Sequence, residues 1–244
     1  MRRSRFPGVD LPVYGEAVLR LGRNPTLIVV PLLMLIVGVL IGHLIAPFGG
    51  GLSGSLTAGL ANFIVAVLGL FGFGSACILA DDAWRRGRGS FEHAWTETQR
   101  RAGDLIAAAV GVTMIVTLAL YVAEIFGSLT VGLVLGALAV YFLIFAMPAA
   151  AAGGAPGALS IQVSIDRVRS APLAAAIATV VTIVLVGYLP SMLKEALTGF
   201  TATWLFGDAL WKDLIGALFQ SIALGYAALV LTKIFTDLSF TRRY

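Results

Sequence analysis

The sequence predicts an all-α integral membrane protein. Six transmembrane helices are expected, as three repeated units of an interfacial helix plus a two-helix hairpin. Three observations carry this. The 244 residues are 59% hydrophobic and 12% charged, with a mean hydropathy of +0.94, where soluble domains carry about 25% charged residues. Six apolar stretches approach the roughly 20 residues that a membrane-crossing helix needs. The remaining basic residues gather in alternate connections.

The chain begins "MRRSRFPG", and its first long apolar run covers residues 25–46. That run exceeds the 7–15 apolar residues of a signal peptide, so it is expected to stay as the first span. The other five spans are expected at residues 56–80, 105–126, 129–149, 172–189 and 214–232. Arg2, Arg3, Arg5, Arg20 and Arg23 precede the first span. Arg85, Arg86, Arg88, Arg100 and Arg101 lie between the second and third. Arg167 and Arg169 lie between the fourth and fifth, and Lys233, Arg242 and Arg243 follow the sixth. Of the 17 basic residues, Lys194 and Lys212 alone fall in the other set of connections. Cytoplasmic loops hold such an excess. Both termini are therefore expected in the cytoplasm, with a multi-pass protein in a bacterial cytoplasmic (inner) membrane. Abundant Ala, Gly, Val and Arg fit a GC-rich bacterial source.

The cytoplasmic connections share a pattern. Phe91, Ala94, Trp95, Thr98 and Ala102 recur at helical spacing, while Glu92, Glu97, Arg100 and Arg101 take the rest of the circumference. Ser90 suits the N-cap. Glu97 and Arg101 are four apart, in the favourable order for an ion pair. Such a helix lies along the interface, apolar face down. Tyr14, Ala17, Val18 and Leu21 repeat the spacing before the first span, as do Ile161, Ser164, Ile165 and Val168 before the fifth. Arg20 corresponds to Arg167, Pro25 to Pro172, and Ser90 to Ser160. The chain thus reads as one transmembrane domain, residues 1–244, with pseudo-repeats at about 8–80, 85–150 and 157–236.

The stretches "SFEHAWTETQRRAGDLI" and "LSIQVSIDRVRSAPLAAA", each leading into a span, resemble a bacterial six-transmembrane superfamily. It includes the membrane domain of glycerophosphodiester phosphodiesterases and the YciC-like proteins of unknown function. The resemblance implies a fold and cytoplasmic surface helices. It does not bring the phosphodiesterase activity, which resides in a soluble domain.

Residues 189–213 differ from the other connections. Met192, Leu193, Ala196, Leu197 and Phe200 form an apolar stripe, and Asp208 is placed to cap the last helix. Trp204 and Trp211 are expected as an outer interfacial anchor.

Ionisable groups within spans are functional candidates. His43 and Glu124 lie near the outer ends of their spans, at similar depth, and form a candidate polar intramembrane site. Asn62, Gln220 and Ser221 are expected to bond neighbouring helices. Gly38 with Gly42, Gly132 with Gly136, and Ser221 with Gly225 suit close contact within the bundle. Asp81 and Asp82, beside Arg85, Arg86 and Arg88, read as a solvated ionic cluster. Cys77 reads as a small core residue.

The glycine-rich "PFGGGLSGS" lacks the lysine of a phosphate-binding loop. No nucleophile elbow, zinc-peptidase motif or Cys/His cluster occurs in the sequence. No catalytic, cofactor or metal residue is therefore expected, and membrane lipids are the expected bound molecules. Each juxtamembrane Lys or Arg adds about 1 kcal/mol of attraction to anionic lipid, so anionic lipid is favoured over nucleic acid as the basic face's partner. The leading expectation is a non-enzymatic membrane subunit or scaffold with a protein partner. The alternative is a transporter, such as a six-span ABC-type permease needing a separate ATPase. In either case Phe91, Trp95, Glu97, Arg100 and Arg101 form a candidate cytoplasmic docking helix.

Overall fold

The computed structural model describes residues 10–45, 51–200 and 209–240. These residues are almost entirely helical, with no strand among them. The elements are α1 (Leu11–Arg23), α2 (Thr26–Ile45), α3 (Gly51–Arg86), α4 (Phe91–Arg100), α5 (Ala102–Ile125) and α6 (Leu129–Leu143). They continue with α7 (Ala146–Ala151), α8 (Leu159–Ser170), α9 (Pro172–Thr182), α10 (Leu189–Phe200) and α11 (Ala209–Phe240). Six helical stretches are long and apolar enough to cross a membrane: Thr26–Ile45, Thr57–Arg86, Ala102–Val122, Thr130–Ala151, Pro172–Leu197 and Leu210–Ser239.

Prolines account for the irregular spans. A proline within a helix has no N–H to give and clashes with the carbonyl four residues back. Pro148 faces Ile144 in this way, and the helix breaks there into α6 and α7. Ser164 of α8 fills the gap: its hydroxyl donates to the Phe142 carbonyl at 2.7 Å and accepts from the Phe145 N–H at 3.1 Å. Pro190 acts likewise on Val186, and residues Ile183–Tyr188 widen into a π-helical turn. The Ser191 hydroxyl lies 3.0 and 2.9 Å from the carbonyls of Gly187 and Tyr188. The fifth span and the expected separate outer helix are consequently one run, Pro172–Phe200. Its stripe residues Met192, Leu193 and Leu197 are exposed.

Packing is uneven along the bundle. The core gathers toward the arginine-rich end, where α3, α5, α7, α9 and α11 meet through Phe73, Leu105, Phe145, Leu229 and Ile234. Much of it is alanine, including Ala76, Ala108, Ala150, Ala175 and Ala228. Small residues let helix backbones approach closely where lipid supplies no hydrophobic drive between helices. Gly225 serves the same end: a Cβ there would lie 3.2 Å from both the Leu27 carbonyl oxygen and Leu21 Cδ1.

Three guanidiniums fasten this end. Arg20 of α1 donates through Nη1 to the Ala83 carbonyl at 2.7 Å. Arg101, after α4, donates to the Ala151 carbonyl at 2.7 Å. Arg167 of α8 donates to the Leu238 carbonyl at 3.0 Å. Arg20 also stacks 4.1 Å over the Trp84 ring, whose indole N–H donates to the Leu229 carbonyl at 2.9 Å. The helices α1, α4 and α8 each bury a small residue at the same register, Ala17, Ala94 and Ser164.

Candidate functional site

The half of the bundle away from the arginine-rich connections holds a cluster of three charged or titratable side chains. His43 lies in the last turn of α2, and Asp213 lies near the start of α11. His43 Nε2 is 3.0 Å from Asp213 Oδ2. Lys194 of α10 donates to the other carboxylate oxygen of Asp213 at 2.6 Å. One carboxylate thus joins three helices. Each of the three side chains is roughly one-third exposed, so the cluster borders open space.

That space is a cleft of about 430 Å³ between α2, α3, α10 and α11. Asn62 and Gln220 line its walls beside Lys194 and Asp213. Two glycines keep it open. A Cβ on Gly216 would lie 3.0 Å from Lys194 Cδ, so the bare backbone there lets the lysine stem cross α11 to its carboxylate. A Cβ on Gly42 would meet nothing within 4 Å. The π-helical turn supplies Val186 and Gly187 to the same wall. Such turns recur at functional sites because they displace backbone from the helical ladder.

Of the candidate polar pair His43 and Glu124, the described side chains show His43 alone, and it meets Asp213. Helix α2 packs against α3 and α11, whereas α5 packs against α3, α6 and α7. Glu124 occupies the last turn of α5, and its side chain lies outside the described residues. Trp204 and Asp208 also lie outside them, while Trp211 is half-exposed beside the cluster residue Asp213.

A helix, α4, covers the candidate docking residues. Ser90 caps α4 by accepting from the His93 N–H. Glu97 pairs with both Arg100 and Arg101. The aromatic rings of Phe91 and Trp95 stack at 6.2 Å, each 40% exposed, while Ala94 and Thr98 of the same helix face are buried. Ser160 is not a cap. It is buried, and its hydroxyl donates to the Gly157 carbonyl at 2.7 Å, because α8 begins two residues earlier than a Ser160 cap requires. The acidic pair also departs from expectation. Asp81 meets Arg85 at 2.9 Å, but Asp82 is buried, with His93 3.7 Å and Arg86 3.9 Å away. The long α3 carries it inward, under α4.

Lys194 and Asp213 were not singled out from the sequence. Their separation of 19 residues follows no local period. The available signal was chemical: Lys194 and Lys212 are the two basic residues outside the arginine-rich connections. A second cavity, of about 420 Å³, lies deeper in the bundle and is lined almost wholly by apolar side chains. Among the described residues, no three His, Cys, Asp or Glu side chains gather as a metal would require. No family model, curated protein or solved structure matches this chain.

Proposed function

We propose that this protein is a non-enzymatic integral membrane subunit or scaffold that associates with a larger protein or lipid assembly. The observation that carries the reading is α4. One edge is buried in the bundle, Arg101 ties its end to Ala151, and the stacked Phe91 and Trp95 rings face outward. An aromatic pair held rigidly on an anchored helix loses little entropy when a partner covers it. Enriched aromatics are a general feature of protein interfaces.

On this reading the membrane is a bacterial cytoplasmic membrane, and α1, α4 and α8 lie on its inner face with both termini. The distribution of basic residues supports that orientation. Three units, each an interfacial helix and a hairpin, describe the chain. Their support is the matching burial of Ala17, Ala94 and Ser164, and the three guanidinium-to-carbonyl bonds. The second unit departs from the others by carrying Glu97 at the register of Arg20 and Arg167, and Arg101 one turn later does the fastening. The likeness to the YciC-like superfamily points the same way. Anionic lipid is the expected companion of the basic face.

The π-helical turn and the charged cluster beside it favour a second reading, a transport subunit with α4 docked on a separate ATPase. Purification in mild detergent separates the two. A large complex lacking an ATPase supports the subunit, and a bound ATPase supports the permease. In either complex, joint Phe91→Ala and Trp95→Ala replacement is expected to release the partner. A chain that purifies alone under all mild conditions overturns both readings. Orientation is tested with Arg88→Cys and Arg167→Cys. The native Cys77 is buried, so it leaves little background. Both new thiols are expected to label from the same side of the membrane.

A further inference from the structure

The polar cleft and the deeper apolar cavity are stacked along shared helices. On α3, Asn62 lines the cleft, and Leu70 and Phe73 line the cavity. On α11 the order runs from Asp213 and Gln220 to Leu224 and Leu231. Val186 of the π-helical turn lines both. At a rise of 1.5 Å per residue, the lining of α11 from Asp213 to Leu231 covers about 27 Å. Two neighbouring spaces over that length, the one charged and the other apolar, match an extended amphipathic molecule better than a small polar solute. We propose that it binds a single glycerophospholipid whose head is zwitterionic.

The charges select the head. Lys194 and Asp213 neutralise each other at 2.6 Å, with His43 on the second carboxylate oxygen. A head of one sign would leave either the lysine or the carboxylate without its counter-charge once the lipid covers the cleft, which is costly. A head carrying both a phosphate and an ammonium exchanges the pairs one for one: phosphate on Lys194, ammonium on Asp213. Asn62 and Gln220 offer donors and acceptors for the ester groups. One acyl chain then lies in the apolar cavity. Bulk lipid is equally apolar, so the head supplies the selectivity. This goes beyond the subunit reading and holds whether or not α4 docks a partner.

The test uses the full chain in mild detergent, with binding read by native mass spectrometry. The probes are dioleoyl phosphatidylethanolamine, phosphatidylglycerol with the same chains, and soluble glycerophosphoethanolamine. The ethanolamine lipid is expected to bind at least about tenfold tighter than the glycerol lipid, the scale of one close interfacial ion pair. Joint Lys194→Met and Asp213→Asn replacement is expected to erase that preference. Gly42→Leu fills the cleft from a position where an added Cβ meets nothing within 4 Å, and is expected to weaken binding by about tenfold. Gly187→Leu reaches the same cleft from equally open space and serves where the first variant fails to fold. Equal binding of the two lipids to the native chain overturns the proposal. So does native-like binding by a cleft-filled variant whose thermal unfolding is unchanged. If glycerophosphoethanolamine competes as well as the whole lipid, the apolar cavity plays no part and the proposal fails.

Discussion

In the arginine-rich half, Phe145, Leu105 and Ile234 are enclosed, and alanines bring the helix backbones together. In the half holding His43, the long side chains of Leu118, Tyr121, Leu133 and Val184 face outward. Both halves are apolar, so hydrophobicity alone does not separate them. What differs is the size of the residues at the contacts. In lipid, helices associate through close packing and hydrogen bonds, and the first half has both. In the second half, a carboxylate shared between a histidine and a lysine links three helices beside a cleft. Close packing is thus concentrated at one end, while the polar cleft opens at the other.

Substitutions sharpen this contrast. The largest effect is expected for Phe145→Ala. The ring is fully buried where α7, α8 and α11 meet, and its loss should cost about 3–5 kcal/mol, measured by denaturant unfolding in detergent. Next comes Arg20→Met, which keeps most of the stem but removes the bond to the Ala83 carbonyl and the charge over Trp84. A hydrogen bond from a charged group contributes about 1.5–3 kcal/mol, and unfolding should shift by that amount. His43→Gln tests the other half. Its partner is partly exposed, so stability should fall by no more than about 1 kcal/mol. Leu118→Ala, on the outward face of α5, should change stability by less than about 0.5 kcal/mol. A loss at His43 or Leu118 as large as that at Phe145 would end the contrast.

Much of the fold was legible because each span announces itself by length and composition. Residues 56–80 became Thr57–Arg86 because Asp81 and Asp82 continue the helix under α4 instead of ending it. Residues 172–189 became Pro172–Leu197 because Pro190 bends the helical ladder into a π-turn and does not stop it. Helix α4 was legible for the same reason as the spans: its cap, its ion pair and its apolar stripe all lie within one short stretch. The polar cleft was half legible. His43 was visible as a costly residue in a span, but its partner lies 170 residues away. Depth alone gave Glu124, whereas helix order gave Asp213. Pairing across a bundle depends on which helices are neighbours, and no local spacing encodes that.

The guanidinium ties have a bearing on biosynthesis. Arg20, Arg101 and Arg167 reach carbonyls 63, 50 and 71 residues downstream, in each case at the far end of the hairpin that the arginine precedes. Each tie can therefore close as soon as its own hairpin has left the ribosome, before the next one is made. The last hairpin then returns to the first, where Tyr226 donates to the Tyr14 carbonyl at 3.1 Å. Such a chain is suited to entering the bilayer in three successive loops, each latched at its arginine end, with the ring closed at release.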